Sequence, residues 1–404
     1  MKPMAPRAGV QHKASPTVVI AGGGIVGAAL ALDLAHAGVA VAMIEPGCPQ
    51  HPDPARPPEA RVAAIGSASQ TLLQRLGVWR DLPAHRITPY RRMCVWDAAA
   101  AGDITFDAES LQCHDLGHIV EHAELRYGLW RALSAQPCCD TRPHEAVTAY
   151  RADPDAVTVQ LRSGERLHSR LLVAADGGDS PLRALAGIGT LDRDYAQQGV
   201  VACIQTEYGH RHTAWQRFLP TGPLAVLPLW DNHSAIVWST GHDHAAQLCR
   251  MTDRDVCRQL AIALDHRLGD IVTAGPRRAF PLRRRLARSV TAPRLALIGD
   301  AAHVIHPLAG QGVNLGLRDV QVLAQEIKAA LNHGRDPGGQ RVLQRYRRRR
   351  SGDIAVTGYA MDGFDRLFRS ANPAIGLART LALAWVDRRP ALKRLLVRQA
   401  AAGR

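Results

Sequence analysis

The chain has 404 residues, 46% hydrophobic and 21% charged, enough for one large domain carrying an insertion or for two domains. No stretch reaches the ~20 uninterrupted apolar residues of a membrane span, and residues 1–16 carry no apolar block ahead of a cleavage site, which argues against a secretory signal. The net charge of +14 suits an anionic partner in general, and nucleic acid is not expected to be that partner.

Residues 1–16 read as a short disordered lead-in. Residues 17–21, Thr-Val-Val-Ile-Ala, form an apolar β-branched run that stops at glycine, the pattern of a buried parallel strand. A helix over 28–37 and a second strand over 39–44, ending at Glu45, complete a βαβ unit. A Pro-rich loop over 46–58 precedes a helix over 67–76. Residues 82–116 are irregular and strand-like, and a helix runs over 121–134. Short strands follow at 156–161, 166–168 and 171–175.

From 192 to 284 the chain reads as a sheet, with strands at 200–206, 214–218, 224–229 and 234–239 and a helix over 253–268. An apolar run at 295–298 then returns to the style of the opening segment and leads into a long helical region. Eight cysteines are scattered without a C-x-x-C pair, as reduced, mostly buried small hydrophobes would be, and no metal is implied.

Gly22-x-Gly24-x-x-Gly27 lies after a strand and opens a helix. The first glycine allows the tight turn, the second lets backbone approach a pyrophosphate, and the third lets helix and strand pack closely. Phosphate then meets free N–H groups at the helix N-terminus. Glu45 can accept from ribose hydroxyls and disfavours a 2′-phosphate, so this motif alone leaves FAD and NAD both open.

The segment Leu295-Ala-Leu-Ile-Gly-Asp-Ala-Ala-His-Val-Ile-His-Pro-Leu-Ala-Gly-Gln-Gly-Val-Asn-Leu-Gly-Leu-Arg-Asp319 resembles the flavin-contacting stretch of the FAD-dependent aromatic hydroxylases. Leu171-Leu-Val-Ala-Ala-Asp-Gly-Gly-Asp-Ser-Pro-Leu-Arg183 resembles that family's Asp-Gly motif, which places Asp176 near both flavin and pyridine nucleotide. Arg61-Val-Ala-Ala-Ile, Gly222-Pro-Leu-Ala-Val-Leu-Pro228 and the tail around Asp387-Arg-Arg-Pro are similar to the ubiquinone-biosynthesis hydroxylases in particular, from residue 17 almost to the end.

The resemblance implies an α/β fold: a Rossmann-like FAD-binding domain of the glutathione-reductase type, with a β-sheet substrate domain and C-terminal helices. The flavin domain is expected over 17–80, 115–190 and 285–370, the substrate sheet over 81–114 and 191–284, and a helical segment over 371–404. Cofactor contacts are expected from Gly22, Gly24, Gly27, Glu45, Arg61, Arg126, Asp176, Asp300, Pro307, Gly310, Gly312, Val313 and Asn314. Asp300 would accept from ribityl hydroxyls, Gly310 and Gly312 would let backbone reach the isoalloxazine, and the N–H groups near Val313 and Asn314 would stabilise negative charge on it.

The implied activity is hydroxylation of the aromatic ring of a prenylated ubiquinone precursor through a flavin C4a-hydroperoxide, with O2 as oxidant and NAD(P)H as transient reductant. Two alternatives stay open: a hydroxylase of a small soluble aromatic, and a mainly structural flavoprotein subunit of a biosynthetic complex. No side chain stands out as a catalytic base. The implied setting is cytoplasmic. The basic, leucine-rich segment over 375–396 suits either the inner face of an anionic membrane or the enzyme's own body, and contact with ubiquinone-biosynthesis complex proteins is compatible with the family.

Two residues depart from the family pattern. His122 stands where asparagine is usual, and Asp179 adds a negative charge where the nicotinamide would approach. His303-x-x-His306 reads as scaffold of the flavin loop rather than a metal pair. Residues 347–350, four arginines, read as a solvated helix face. Trp215, Trp230 and Trp238 read as sheet core before substrate-stacking groups.

Overall fold

The computed structural model describes residues 15–98, 103–305 and 312–369. Its first layer is a six-stranded sheet in the order Thr291–Ala292, Leu295–Leu297, Leu171–Ala174, Val18–Ala21, Val41–Glu45, Cys139–Pro143. Val18–Ala21 pairs in parallel on both sides, Val18 with Val41 and with Leu171. Covered on both faces, these strands are continuous apolar runs with no polar alternation.

The helix Ile25–Ala35 has ten of its eleven residues buried, which explains why it shows so little amphipathic pattern. Helices Gly312–Asn332 and His122–Ser134 pack beside it, and Gln340–Arg369 packs outside Gly312–Asn332.

The second layer is a nine-stranded sheet: His303–Val304, Arg278–Ala287, Thr190–Thr206, His233–Gly241, Gly222–Pro228, Thr213–Leu219, Arg92–Asp97 and Asp103–Asp107, with Ile271–Ala274 added beside Thr190–Thr206. One face, carrying Leu224, Val226, Ile236 and Trp238, buries against helices His242–Arg250 and Asp253–Ala263. The opposite face brings Leu227, Ala235 and Cys203 against Ala64 and Ile119 of a small three-stranded sheet, Val62–Ile65, Gly117–Glu121 and Ile87–Tyr90. A further three-stranded sheet, Arg166–Ser169, Val157–Leu161 and Val147–Ala152, flanks the first layer. Among the described residues, no helix is long and apolar enough to cross a membrane.

Most expected elements lie within a few residues of their places, and the differences have local causes. The helix expected over 253–268 ends at Ala263, because Asp265 and His266 adopt left-handed φ of 60° and 53°. Helix His242–Arg250 buries only Ala245 and Leu248, too few to make a stripe in the sequence. Strand Arg278–Ala287 was hidden by its arginines. Arg283 and Arg285 stand opposite Asp194 and Asp192 of the neighbouring strand, so the polar residues belong to a cross-strand charge ladder.

Leu260 is 1% exposed and sits in the sheet-and-helix core. Leu260→Ala is expected to cost about 3 kcal/mol through lost burial and a cavity, read as a lower urea midpoint with unchanged slope.

Candidate functional site

The glycine turn is built from backbone contacts that leave no room for side chains. Gly22 has φ +110°, and a Cβ added there would lie 2.1 Å from the Ala175 carbonyl oxygen. A Cβ at Gly27 would lie 2.0 Å from the Gly22 oxygen. Gly24 is different: it caps the helix in an extended conformation, and a Cβ there would meet nothing within 4 Å. The first-turn N–H groups of Ile25 and Val26 thus open beside free space, where an anion fits.

Glu45, at the end of the next strand, grips this turn. Its Oε2 accepts from Gly23 N at 2.5 Å, and its Oε1 accepts from Gly47 N at 3.1 Å and from Arg126 Nη2 at 3.3 Å. Arg126 Nε and Trp130 Nε1 both donate to the Gly23 carbonyl, at 3.3 and 2.7 Å. The spacing of 126 and 130 sets the two side chains one above the other on a helix face.

A second group of residues converges beside Asp300. That residue sits on the Gly299–Ala301 turn with accessible surface, yet the surrounding protein raises its carboxyl pKa, an effect that His303 and Arg61 oppose. Surface access combined with desolvation describes a carboxylate on the wall of a cleft. Arg61 is exposed, and its carbonyl accepts from His122 N at 3.0 Å. Burial lowers the half-buried His122 from 6.5 to about 4, and the Arg61 charge adds to that shift.

Asn314, in the first turn of Gly312–Asn332, clamps the end of the Val62–Ile65 strand. Its Oδ1 accepts from Gly66 N at 3.0 Å, and its Nδ2 donates to the Ala64 carbonyl at 2.7 Å. A Cβ at Gly312 would meet nothing within 4 Å, while Val313 packs partly buried against the core.

Asp176 follows the strand whose Ala175 touches Gly22. Its Oδ2 accepts from Leu182 N at 3.1 Å, and its buried Oδ1 has no partner among the described residues. Desolvation raises its pKa. Pro307, Gly310 and His306 lie outside the described residues, as does the segment over 375–396.

Asp179 is ionised, and Arg283 Nη2 and Arg285 Nη1 hold its carboxylate at 2.7 and 2.6 Å and keep its pKa low. Other expectations need correction. The four-arginine run is not uniformly solvated. Arg347, Arg348 and Arg349 are exposed, but Arg350 is 1% exposed and ion-paired to Asp319 at 2.6 Å. Leu343, Tyr346 and Arg350 are three and four residues apart, a spacing that could have placed Arg350 on the inner face. Trp238 is buried in the sheet core, and Trp215 is partly buried there, edge-on to Trp96. The cysteines are free but less buried than expected, with Cys48 and Cys113 exposed and the other six intermediate.

Sequence reasoning also missed a polar cluster centred on Glu121, which is fully buried. Its carboxylate accepts from Arg56 Nη1 at 2.8 Å, Arg86 Nη1 at 3.0 Å, Glu59 N at 3.0 Å and Trp230 Nε1 at 3.1 Å. Glu124 takes the second Arg56 nitrogen at 3.1 Å, and the Arg86 guanidinium lies over the Trp230 ring. Trp230 is therefore a tie between the sheet hairpin and the helix that carries Arg126. Beside this cluster, burial and the Glu121 charge push the Cys203 thiol up to about 12, so this wall is uncharged at neutral pH.

Comparison with known proteins agrees with this geometry. A family model for the FAD binding domain matches residues 15–355. The 3-demethoxyubiquinol 3-hydroxylase of Escherichia coli (strain K12) is 39% identical, over 95% of this chain and 97% of that protein. Ubiquinone hydroxylase UbiL of Rhodospirillum rubrum is 36% identical, over 95% and 89%. The crystal structure of p-nitrophenol 4-monooxygenase PnpA from Pseudomonas putida DLL-E4 aligns with a TM-score of 0.78 over 96% of this chain and 99% of that one; at 19% identity this likeness speaks for the fold.

The match to the FAD binding domain and the identity to these hydroxylases make the chain an FAD-dependent monooxygenase. Within that class, the chain belongs to the ubiquinone-biosynthesis hydroxylase family.

The His122 shift has a consequence for stability. Below pH 6.5 the unfolded chain takes up a proton that the folded protein declines until about pH 4, so stability falls as pH drops through that window. His122→Asn removes this contribution. The difference in urea midpoint between pH 7 and pH 5 is expected to be smaller in the variant than in the parent.

Proposed function

We propose that the protein hydroxylates the aromatic ring of a prenylated ubiquinone precursor, using FAD, O2 and a nicotinamide reductant. The observation that carries this reading is the 39% identity to 3-demethoxyubiquinol 3-hydroxylase along nearly the full length of both chains. We read 17–80, 115–190 and 285–370 as the flavin-holding part, 81–114 and 191–284 as the substrate part, and 371–404 as a C-terminal helical segment.

In this reading Gly22 and Gly27 shape the turn, and Gly24 with the helix N-terminus takes the pyrophosphate. Glu45 accepts from the adenosine ribose, exchanging its contact with Gly23 N, and Arg126 steadies Glu45. Asp300 accepts from the ribityl chain. Arg61, Asp176, Pro307, Gly310, Gly312, Val313 and Asn314 surround the isoalloxazine. Open space at Gly24 and Gly312, and the unpartnered Asp176 Oδ1, support the fit. When bound, FAD supplies the redox chemistry that couples a nicotinamide reductant to O2.

The chain's own residues have three tasks. They hold the cofactor, seat the substrate ring, and keep water from the reacting atoms. The wall formed by Val62, Tyr90, Cys203 and Leu227 suits the second and third, because it is apolar and partly open. Tyr90 remains a neutral phenol there: burial, then the Asp115 charge, raise its pKa to about 12. His122 is neutral above about pH 4 and is free to donate or accept a hydrogen bond beside Arg61. The pairing of Asp179 with two arginines removes an obstacle to an anionic reductant. Contact of the segment over 375–396 with an anionic membrane at the cytoplasmic face, and docking with other ubiquinone-biosynthesis proteins, complete the proposal.

The deciding experiment is quinone-pool profiling of a strain lacking the gene. A precursor missing one ring hydroxyl should accumulate, and an unchanged pool would overturn the reading. With purified protein, NAD(P)H oxidation should be stimulated more by a prenylated phenol than by its tail-less counterpart; equal stimulation favours a soluble substrate.

Gly24→Val tests the cofactor end directly. An added Cβ meets nothing within 4 Å there, so thermal stability without flavin should fall by no more than the roughly 1 kcal/mol of a poorer helix cap. The purified variant should nevertheless be colourless, and retained yellow absorbance would count against pyrophosphate binding at Gly24.

A further inference from the structure

We infer that Asp319 is a positioning residue for the flavin, acting through Asp300; the inference rests on the proposed role of Asp300. Asp319 is fully buried in helix Gly312–Asn332, and both of its carboxylate oxygens are taken by protein donors. Its Oδ2 accepts from both ends of the turn that carries Asp300: Gly299 N at 2.8 Å and His303 Nε2 at 2.6 Å. Gly299 has φ +58°, and the turn is short enough that these two anchors fix its apex.

The carboxylate is itself held. Arg350 Nε donates to Oδ1 at 2.6 Å, while Arg350 Nη1 donates to Asp353 at 2.6 Å. Burial alone would raise the Asp319 pKa, but His303 and Arg350 outweigh it and keep the acid ionised. Three donors converge on one buried anion, the arrangement in which a single lost charge leaves several groups unsatisfied.

The backbone nearby leaves no slack. A Cβ at Gly316, one turn before Asp319, would lie 2.5 Å from Val26 and 3.3 Å from the Gly299 Cα. Helix Gly312–Asn332 is thus pressed against both the first turn of the pyrophosphate helix and the Asp300 turn. Asp319 supplies the polar half of that contact and sets where Asp300 sits relative to Gly24.

The test is a double-mutant cycle on FAD affinity, measured by flavin fluorescence during reconstitution of the full-length protein. Asp300→Asn and Asp319→Asn are each expected to weaken binding roughly tenfold. The double variant should bind within about threefold of Asp300→Asn alone, because Asp319 has nothing left to position. Leu260→Ala, destabilised in a distant core, should keep parental affinity, which separates positioning from stability loss.

Additive losses in the double variant would overturn the inference while leaving Asp300 a flavin contact. Unchanged affinity in Asp300→Asn would overturn the underlying reading instead. Should Asp319→Asn fail to fold, His303→Asn takes its place in the same cycle: it removes one anchor of the turn while Arg350 still pairs with Asp319. Non-additivity with Asp300→Asn supports the inference, and additivity overturns it.

Discussion

Backbone meeting backbone is the constraint on which the rest of this molecule depends. At Gly22 and Gly27 the first strand, its neighbour and the first helix come closer than any Cβ allows. That closeness brings the helix N-terminus to the carboxyl end of the parallel sheet, where strand ends, helix dipole and free N–H groups face one opening. Gly316 repeats the device from the other side, letting a helix from much later in the chain reach Val26. The Gly316 contact thus registers the early and late parts of the chain against each other.

The polar interior follows a consistent logic. Each fully buried acid is satisfied by protein groups rather than by water: Glu121 has two arginines, a backbone amide and an indole, and Asp319 has an arginine, a histidine and a backbone amide. A buried ion pair adds little net stability over an apolar pair, but removing one partner is costly. Both clusters join segments far apart in the chain. One ties the Pro-rich loop and the Trp230 hairpin to the helix of Arg126, and the other ties the last helices to the Asp300 turn.

How legible these features were depended on the range of the interaction. The glycine turn, the apolar parallel strands and the flavin-loop motif are local patterns, so their places could be read directly. The arginine-rich strand Arg278–Ala287 could not, because the partners of Arg283 and Arg285, Asp179 and Asp192, lie on distant segments. Arg350 looked like its exposed neighbours until Asp319, thirty-one residues away, supplied a reason for burial. Glu121 sat at the expected start of a helix, where an acid is unremarkable; four donors from three separate stretches give it a different part. The partners of Asp179 were hidden for the same reason, since its two arginines lie about a hundred residues downstream.

The edge of the large sheet carries a consequence for how the chain is made. Arg92–Asp97 lies in parallel against Thr213–Leu219, with Arg92 opposite Thr213, and Asp103–Asp107 hangs on its outer side. During synthesis this hairpin emerges long before its partner, carrying Val95, Ile104 and Phe106 with little to cover them. Nascent molecules stalled before residue 219 would carry an open, apolar strand edge, the species most in need of a chaperone.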